Sequence, residues 1–70
     1  MNIRWIPYED LEVATAANGY LLKVYQSGSD WDWDLLKDDE LICHGAEYSE
    51  MNAKSSCVRA YKEHAGALNA

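Results

Sequence analysis

The clearest pattern in the sequence is a strict alternation of acidic and apolar residues over positions 30–35. Successive residues of an extended strand point to opposite faces, so this alternation separates two sets of side chains. One face receives Trp31, Trp33 and Leu35, and the other receives Asp30, Asp32 and Asp34. A helix would not separate these residue types by face. The pattern therefore predicts a half-buried strand whose two tryptophans lie in the core.

Two segments before this strand predict a hairpin. Residues 11–15 alternate between apolar and polar, and residues 20–25 are rich in aromatic and aliphatic side chains. Between them lies Asn18-Gly19, a dipeptide that tolerates positive φ and suits a type I′ turn. Residues 26–29 have the composition of a second turn, which leads into the alternating strand.

Two further segments have weaker strand patterns. Residues 41–44 follow a charged turn over residues 37–40 and predict a strand that ends at Gly45. Residues 1–10 contain Pro7, which cannot donate a hydrogen bond to a sheet, and predict at most a short edge strand or a packed tail. We therefore expect three or four strands joined in a meander.

From residue 49 onward the hydrophobic period changes to that of a helix. Ser49 is a good N-cap, and Glu50 suits the positive end of the helix dipole. The residues that recur at spacings of three and four are Ala53, Cys57, Ala60, Tyr61 and His64. Lys62 and His64 suit a last turn, and Gly66 has the position of a C-terminal cap, so we expect residues 67–70 to fray.

Together these elements predict one α+β domain over residues 1–70: an antiparallel three- to four-stranded β-meander followed by one C-terminal helix packed on one sheet face. Ala53, Cys57 and Ala60 would let the helix approach a sheet face that carries the bulky Trp31 and Trp33. Because one helix covers one face only, the other face must meet water or a partner. We expect function to reside on that uncovered face.

Composition and charge restrict the class of partner. The 70 residues include 12 Asp and Glu against 6 Lys and Arg, a net charge of −6, so the chain lacks the basic surface that direct nucleic-acid binding requires. No apolar run approaches the roughly 20 residues that span a bilayer, and residues 1–10 lack the order of a signal peptide. We expect a cytoplasmic protein that contacts no membrane. A domain this small is often marginally stable alone, which favours a homodimer.

The carboxylates of the alternating strand allow more than one chemical interpretation. An EF-hand loop also opens with D-x-D-x-D, but counting from Asp30 places Leu35 and Leu41 where the loop needs Gly and Glu. Carboxylates about 6.6 Å apart along a strand would match alternate phosphates of a DNA strand, so mimicry of a nucleic-acid backbone is one interpretation and simple solubility is the other. No catalytic motif occurs, and we expect no enzyme.

Four residues are of the metal-ligand type: Cys43, His44, Cys57 and His64. Adjacent Cys43 and His44 point to opposite faces of a strand, and no C-x-x-C or H-x-x-x-H spacing occurs, so we predict no metal site and no cofactor. Two cysteines in a reducing compartment predict free, mostly buried thiols. The alternative function is a small ligand- or metal-binding protein that uses these residues or a pocket at a dimer seam.

Several segments of the chain share one family's pattern. They are Trp31-Asp32-Trp33-Asp34-Leu35, Asp39-Glu40-Leu41-Ile42, Tyr48-Ser49, Asn52-Ala53-Lys54, and Cys57 with Val58. Residues 20–65 thereby resemble one repeat of the YegP-like family, small bacterial domains of uncharacterised function with a Trp-x-Trp-x-Leu strand and a helix that opens at Tyr-Ser or Tyr-Thr. Family members typically hold two packed repeats, so the resemblance implies a ββα fold and a second copy, but no chemistry. Size and charge are also similar to those of short acidic proteins of phages and mobile elements.

We therefore predict a non-enzymatic protein-binding module, a homodimer that binds another protein through an acidic and aromatic sheet face. The residues predicted to contact that partner are Asp30, Asp32, Asp34, Asp38, Asp39 and Tyr25. For a protein of a phage or mobile element, the predicted target is a host enzyme that handles nucleic acid or acts in defence.

Overall fold

The computed structural model describes the backbone of residues 3–69 and the side chains of residues 3–66. The elements follow the chain in the order β1 (Ile6–Tyr8), β2 (Leu11–Ala16), β3 (Tyr20–Ser27), β4 (Asp30–Lys37), β5 (Glu40–Glu47) and α1 (Glu50–Asn69). Every strand pairs antiparallel with its neighbour in sequence, which gives one sheet of order β1-β2-β3-β4-β5. The predicted α+β meander with a C-terminal helix is confirmed.

The predicted number of strands is wrong, because the sheet has five strands rather than three or four. The fifth strand is β1, in which Pro7 pairs with Glu12 of β2. An outermost strand tolerates proline because one of its edges needs no hydrogen-bond donor. The predicted end of the last strand is also wrong, since β5 continues through Gly45 to Glu47.

The turns use backbone conformations with positive φ. Asn18 and Gly19 have φ of 68° and 85°, as the Asn-Gly signal predicts, but the loop between the paired residues Ala16 and Tyr20 has three residues rather than two. The connection from β4 to β5 is a two-residue loop in which both Asp38 (φ 51°) and Asp39 (φ 70°) are left-handed. Aspartate tolerates this region better than most residues, because its short polar side chain can hydrogen-bond locally.

The register assigns each residue of the sheet to a face. Leu22 pairs with Leu35, and Val24 pairs with Trp33. These four side chains are buried on the face that α1 covers. The full buried core of the described residues is Ala14, Tyr20, Leu22, Val24, Trp33, Leu35, Ala53, Cys57 and Tyr61. Trp31 shares this face but is only half-buried near the end of β4, so its predicted place in the core is confirmed only in part.

Position 45 requires glycine because the Trp33 indole approaches its backbone closely, and not because the strand ends there. It pairs with Trp33 across β4 and β5, and the Trp33 indole lies directly over it. A Cβ atom added at Gly45 would lie 2.7 Å from Trp33 Nε1 and 2.8 Å from Cε2. A side chain at position 45 would therefore collide with the indole, whose buried Nε1 has no hydrogen-bond partner among the described residues.

Helix α1 begins as predicted. The Ser49 side chain accepts a hydrogen bond from the backbone N–H of Asn52 (3.1 Å), and its carbonyl accepts one from Ala53 (3.0 Å). The predicted cap at Gly66 is wrong, because α1 continues through it to Asn69. Gly66 does not take a positive φ, and a glycine ends a helix only when it does. The predicted fraying is wrong for residues 67–69, which belong to α1, and residue 70 lies outside the described residues.

A cluster of three rings fixes the second half of α1 to β3. The rings of Tyr20 and Tyr61 meet edge to face with centroids 5.0 Å apart. The Tyr20 hydroxyl group is hydrogen-bonded to His64 Nδ1 at 2.6 Å. Lys37 Nζ lies 4.8 Å from the centre of the Tyr20 ring. His64 is therefore held by a ring contact and a hydrogen bond.

Substitution of Gly45 by alanine tests the close approach. We expect Gly45→Ala to lower the free energy of unfolding by about 1–3 kcal/mol, because the new methyl group would displace the Trp33 indole from a packed core. Gly66→Ala is the matched control, since nothing lies within 4 Å of its added Cβ. The control is expected to raise stability by about 0.5–1 kcal/mol, as alanine does in a helix. Urea titrations of both variants measure the difference, and equal stabilities would contradict the packing.

Candidate functional site

The sheet face opposite α1 is not covered by any described element, and we call it the open face. The register places on it Ile6 and Tyr8 of β1, Leu11, Val13 and Thr15 of β2, Leu21, Lys23 and Tyr25 of β3, Asp30, Asp32, Asp34 and Leu36 of β4, and Leu41, His44 and Ala46 of β5. This face carries four of the six residues predicted to bind a partner.

Apolar side chains occupy two sides of the open face. Ile6 and Tyr8 on β1 are 53% and 63% exposed, and Leu41 on β5 is 56% exposed. Leu21 and Leu36 pair across the central strands at the same end of the sheet as Leu41. A single exposed leucine needs no explanation, but a contiguous apolar region on one face marks a surface that another molecule can cover.

Asp30, Asp32 and Asp34 form a row along β4, which we call the acidic strip. Tyr25 pairs with Asp32 in the register, and its hydroxyl group donates a hydrogen bond to Asp34 Oδ2 at 3.3 Å. The structure therefore brings these four predicted residues together. Burial raises the pKa of Tyr25, and the negative charges of Asp34 and Asp32 raise it further. The Tyr25 phenol therefore stays protonated, and its hydroxyl group remains a hydrogen-bond donor to Asp34.

Asp38 and Asp39 do not belong to the acidic strip. They form the β4–β5 turn, which lies the length of β4, about 23 Å, away from Asp30. The Asp38 backbone N–H donates to the Gly19 carbonyl at 3.0 Å, and its carboxylate lies 3.7 Å from Lys37 Nζ. These contacts tie the two loops at this end of the sheet together, so Asp38 has a structural role that its charge alone did not indicate.

Two basic residues beside the strip, Lys23 and His44, were not predicted from the sequence. In the register Asp34 lies between Lys23 of β3 and His44 of β5. Opposite charges on directly paired positions of one face attract each other. Lys23 stands between Leu21 and Tyr25 in the alternating pattern, so the sequence indicates which face of the sheet it occupies. The sequence does not indicate which residue lies beside it on the next strand. The acidic strip is therefore flanked by Lys23 and His44 at its Asp34 end and is most negative toward Asp30 and Asp32.

The Cys and His residues do not converge. Cys43 lies on the face covered by α1, whereas His44 lies on the open face, as predicted. Cys57 is buried, and its thiol group donates to the Asp34 carbonyl at 3.4 Å. Among the described residues, no three His, Cys, Asp or Glu side chains are placed to hold a metal ion. The two cysteines are not joined by a disulfide, and of the two only Cys57 is fully buried.

Comparisons with known proteins place no constraint on function. No protein-family model matches the chain, and no curated protein and no solved structure is significantly similar to it. The resemblance to the YegP-like family stays a prediction. Within residues 3–69 the structure contains no helix with the length and apolarity to span a bilayer.

The two thiols are expected to react very differently. Burial raises the pKa of the Cys57 thiol to about 12, so at pH 8 almost none of it is ionised, and the side chain has no exposed surface. Cys43 is half-buried, and burial followed by the charge of Glu63 raises its pKa as well. With an aromatic disulfide reagent at pH 8, we expect the native protein to release about one equivalent of the coloured aromatic thiolate per chain, and to do so slowly. The denatured protein should release two equivalents per chain. Rapid reaction of both thiols in the native protein would contradict the burial of Cys57.

Proposed function

We propose that the chain is a non-enzymatic, cytoplasmic protein-binding module that presents its open face to a protein partner. One observation carries the proposal: five paired strands have a helix on one face and no described element on the other. The strands of up to eight residues and their spacing make this face about 26 Å by about 20 Å. Its planar area is at most about 520 Å², below the roughly 800 Å² that a standard interface buries on each partner, so the face corresponds to a small interface.

The chemistry of the open face favours a partner with a basic surface and an apolar contact region. The acidic strip supplies carboxylates on one strand, and Leu21, Leu36 and Leu41 supply an apolar region at the adjoining end. Charged side chains speed and orient the encounter, while burial of the apolar side chains provides the affinity. Tyr25 lies beside the strip and adds an aromatic ring, and its hydroxyl group is hydrogen-bonded to Asp34.

Nucleic-acid-binding enzymes are partners of this kind, because their clefts carry rows of basic side chains. Asp30, Asp32 and Asp34 alternate along β4 at about 6.6 Å, a spacing that suits every second phosphate of one DNA strand. We therefore propose that the chain acts as an inhibitor of a host nucleic-acid-handling or defence enzyme, encoded by a phage or mobile element. The net charge of −6 supports attraction to such a cleft.

We further propose that two copies of the chain associate through the outer edge of β5. This edge offers eight residues and has no strand neighbour among the described residues, whereas the opposite edge, β1, is three residues long and contains Pro7. Unpaired edges of long strands are templates for pairing with another chain. Such a dimer leaves both open faces free, and it agrees with the second repeat that the resemblance to the YegP-like family implies.

Charge reversal in the acidic strip tests the binding face. We expect an Asp32→Lys/Asp34→Lys variant to lose proteins that the wild type retains from an extract of the native host, because the strip no longer attracts a basic surface. Asp10→Lys/Glu63→Lys is the matched control, since it makes the same change in net charge at exposed positions outside the open face. Quantitative mass spectrometry of the captured proteins measures the loss, and circular dichroism verifies that all variants fold. Capture that is the same with both variants would refute the proposed face.

Substitution at the β5 edge tests the dimer. We expect light scattering at micromolar concentration to give the mass of two chains for the wild type and of one chain for Leu41→Lys, because a lysine on the pairing strand opposes edge-to-edge association. Ile6→Lys is the matched control, with a side chain of similar exposure on the opposite edge, and it should remain a dimer. A wild-type protein that is folded and monomeric would exclude the dimer. If Ile6→Lys dissociated the dimer and Leu41→Lys did not, the dimer interface would lie at β1 and the proposed β5 interface would be wrong.

A further inference from the structure

A second surface feature lies on the side of the molecule that carries α1. Trp5 and the outer side of α1 enclose a shallow groove of about 520 Å³. Its principal lining residues are Trp5, Lys54, Val58, Arg59, Lys62 and Glu63. The volume falls within the range of small-molecule sites, and the groove shares none of these residues with the open face.

The wall formed by Trp5 and Lys54 is held in place by several contacts. Lys54 Nζ lies 2.9 Å from both Glu12 Oε2 and Glu50 Oε2, and 5.5 Å from the centre of the Trp5 ring. Burial lowers the pKa of Lys54, but its hydrogen bonds to Glu50 and Glu12 outweigh this effect and raise it overall. Lys54 is thus paired with two carboxylates, which leaves a net charge of about −1 at this wall and no free cation for an anionic ligand. It positions the indole and leaves recognition to other residues.

The other two cationic side chains of the groove, Arg59 and Lys62, are available to bind an anionic ligand. Arg59 and Lys62 are exposed, and no described carboxylate lies within ion-pair distance of either. Three of the six basic residues of the chain therefore line one groove, and two of them have no ionic partner among the described residues in a protein of charge −6. Glu63 also lines the groove and disfavours an anion on its own side, so the favourable position for an anionic group is between Arg59 and Lys62.

We propose that this groove binds a small organic anion with a flat aromatic body. The ring would lie against Trp5 and Val58, and a carboxylate or sulfonate group would contact the guanidinium of Arg59 and the ammonium of Lys62. Trp5 supplies a planar apolar surface suited to an aromatic ring. An arginine matches the two oxygens of such an anion with two parallel N–H donors. The groove is independent of the open face, so its occupancy does not depend on the proposed function.

The probe for this site is 8-anilinonaphthalene-1-sulfonate, an aromatic anion whose fluorescence rises on binding. We expect Arg59→Gln/Lys62→Gln to weaken its binding about fivefold or more, because both charge contacts are lost. Lys23→Gln, which removes a cation from the open face, is expected to change the affinity less than about twofold. The uncharged analogue N-phenyl-1-naphthylamine should bind the wild type and the double variant equally, since it lacks the anionic group.

A map of the binding site completes the test. In two-dimensional NMR spectra of the full chain, addition of the sulfonate should shift the Trp5 indole signal and backbone signals of residues 54–62. Shifts confined to open-face residues such as Leu36 and Leu41 would overturn the proposal. Equal effects of the single variants Arg59→Gln and Lys23→Gln on the affinity would also overturn it, because each removes one positive charge and the anion would then respond only to net charge.

Discussion

The whole structure depends on one packing constraint: a single helix must bury the core of a five-stranded sheet, and it can do so on one face only. Helix α1 approaches closely because Ala53 and Cys57, both without exposed surface, meet the bulky Leu22, Leu35 and Trp33. Large side chains on the sheet and small ones on the helix give the dense packing that a core this small needs. The opposite face consequently keeps its apolar and acidic residues at the surface.

This constraint also separates the chemistry of the chain into two regions. Strand alternation assigns Trp33 and Leu35 to the helix and the acidic strip to the open face, so charge and core lie on opposite sides of the same strand. The same packing excludes the Cys57 thiol from solvent and keeps it protonated. On the outer side of α1, Trp5 reaches across from the residues before β1, and Lys54 holds its ring against the helix. The N-terminal residues therefore build a surface that neither the helix nor the sheet forms alone.

Features with a local signal could be predicted from the sequence, and those that depend on pairing could not. The alternation at residues 30–35 predicted the faces of β4, and Ser49 predicted the start of α1. Strand β1 was underestimated because Pro7 is compatible with a strand only at an edge, and sequence does not show where the edge is. Gly45 and Gly66 were interpreted as ends of elements, yet one admits the Trp33 ring and the other stays within α1. The position of Lys23 and His44 beside Asp34 follows from the register alone.

The central claim is that the open face meets solvent in the free protein and is available to a partner. Paramagnetic relaxation of methyl signals by a soluble, uncharged gadolinium chelate tests it most directly. Our account predicts strong relaxation for Val13, Leu21 and Leu36 on the open face and weak relaxation for Leu22, Val24 and Leu35 beneath α1. Equal protection of the two sets of methyl groups would show that the open face is covered, and would contradict the account.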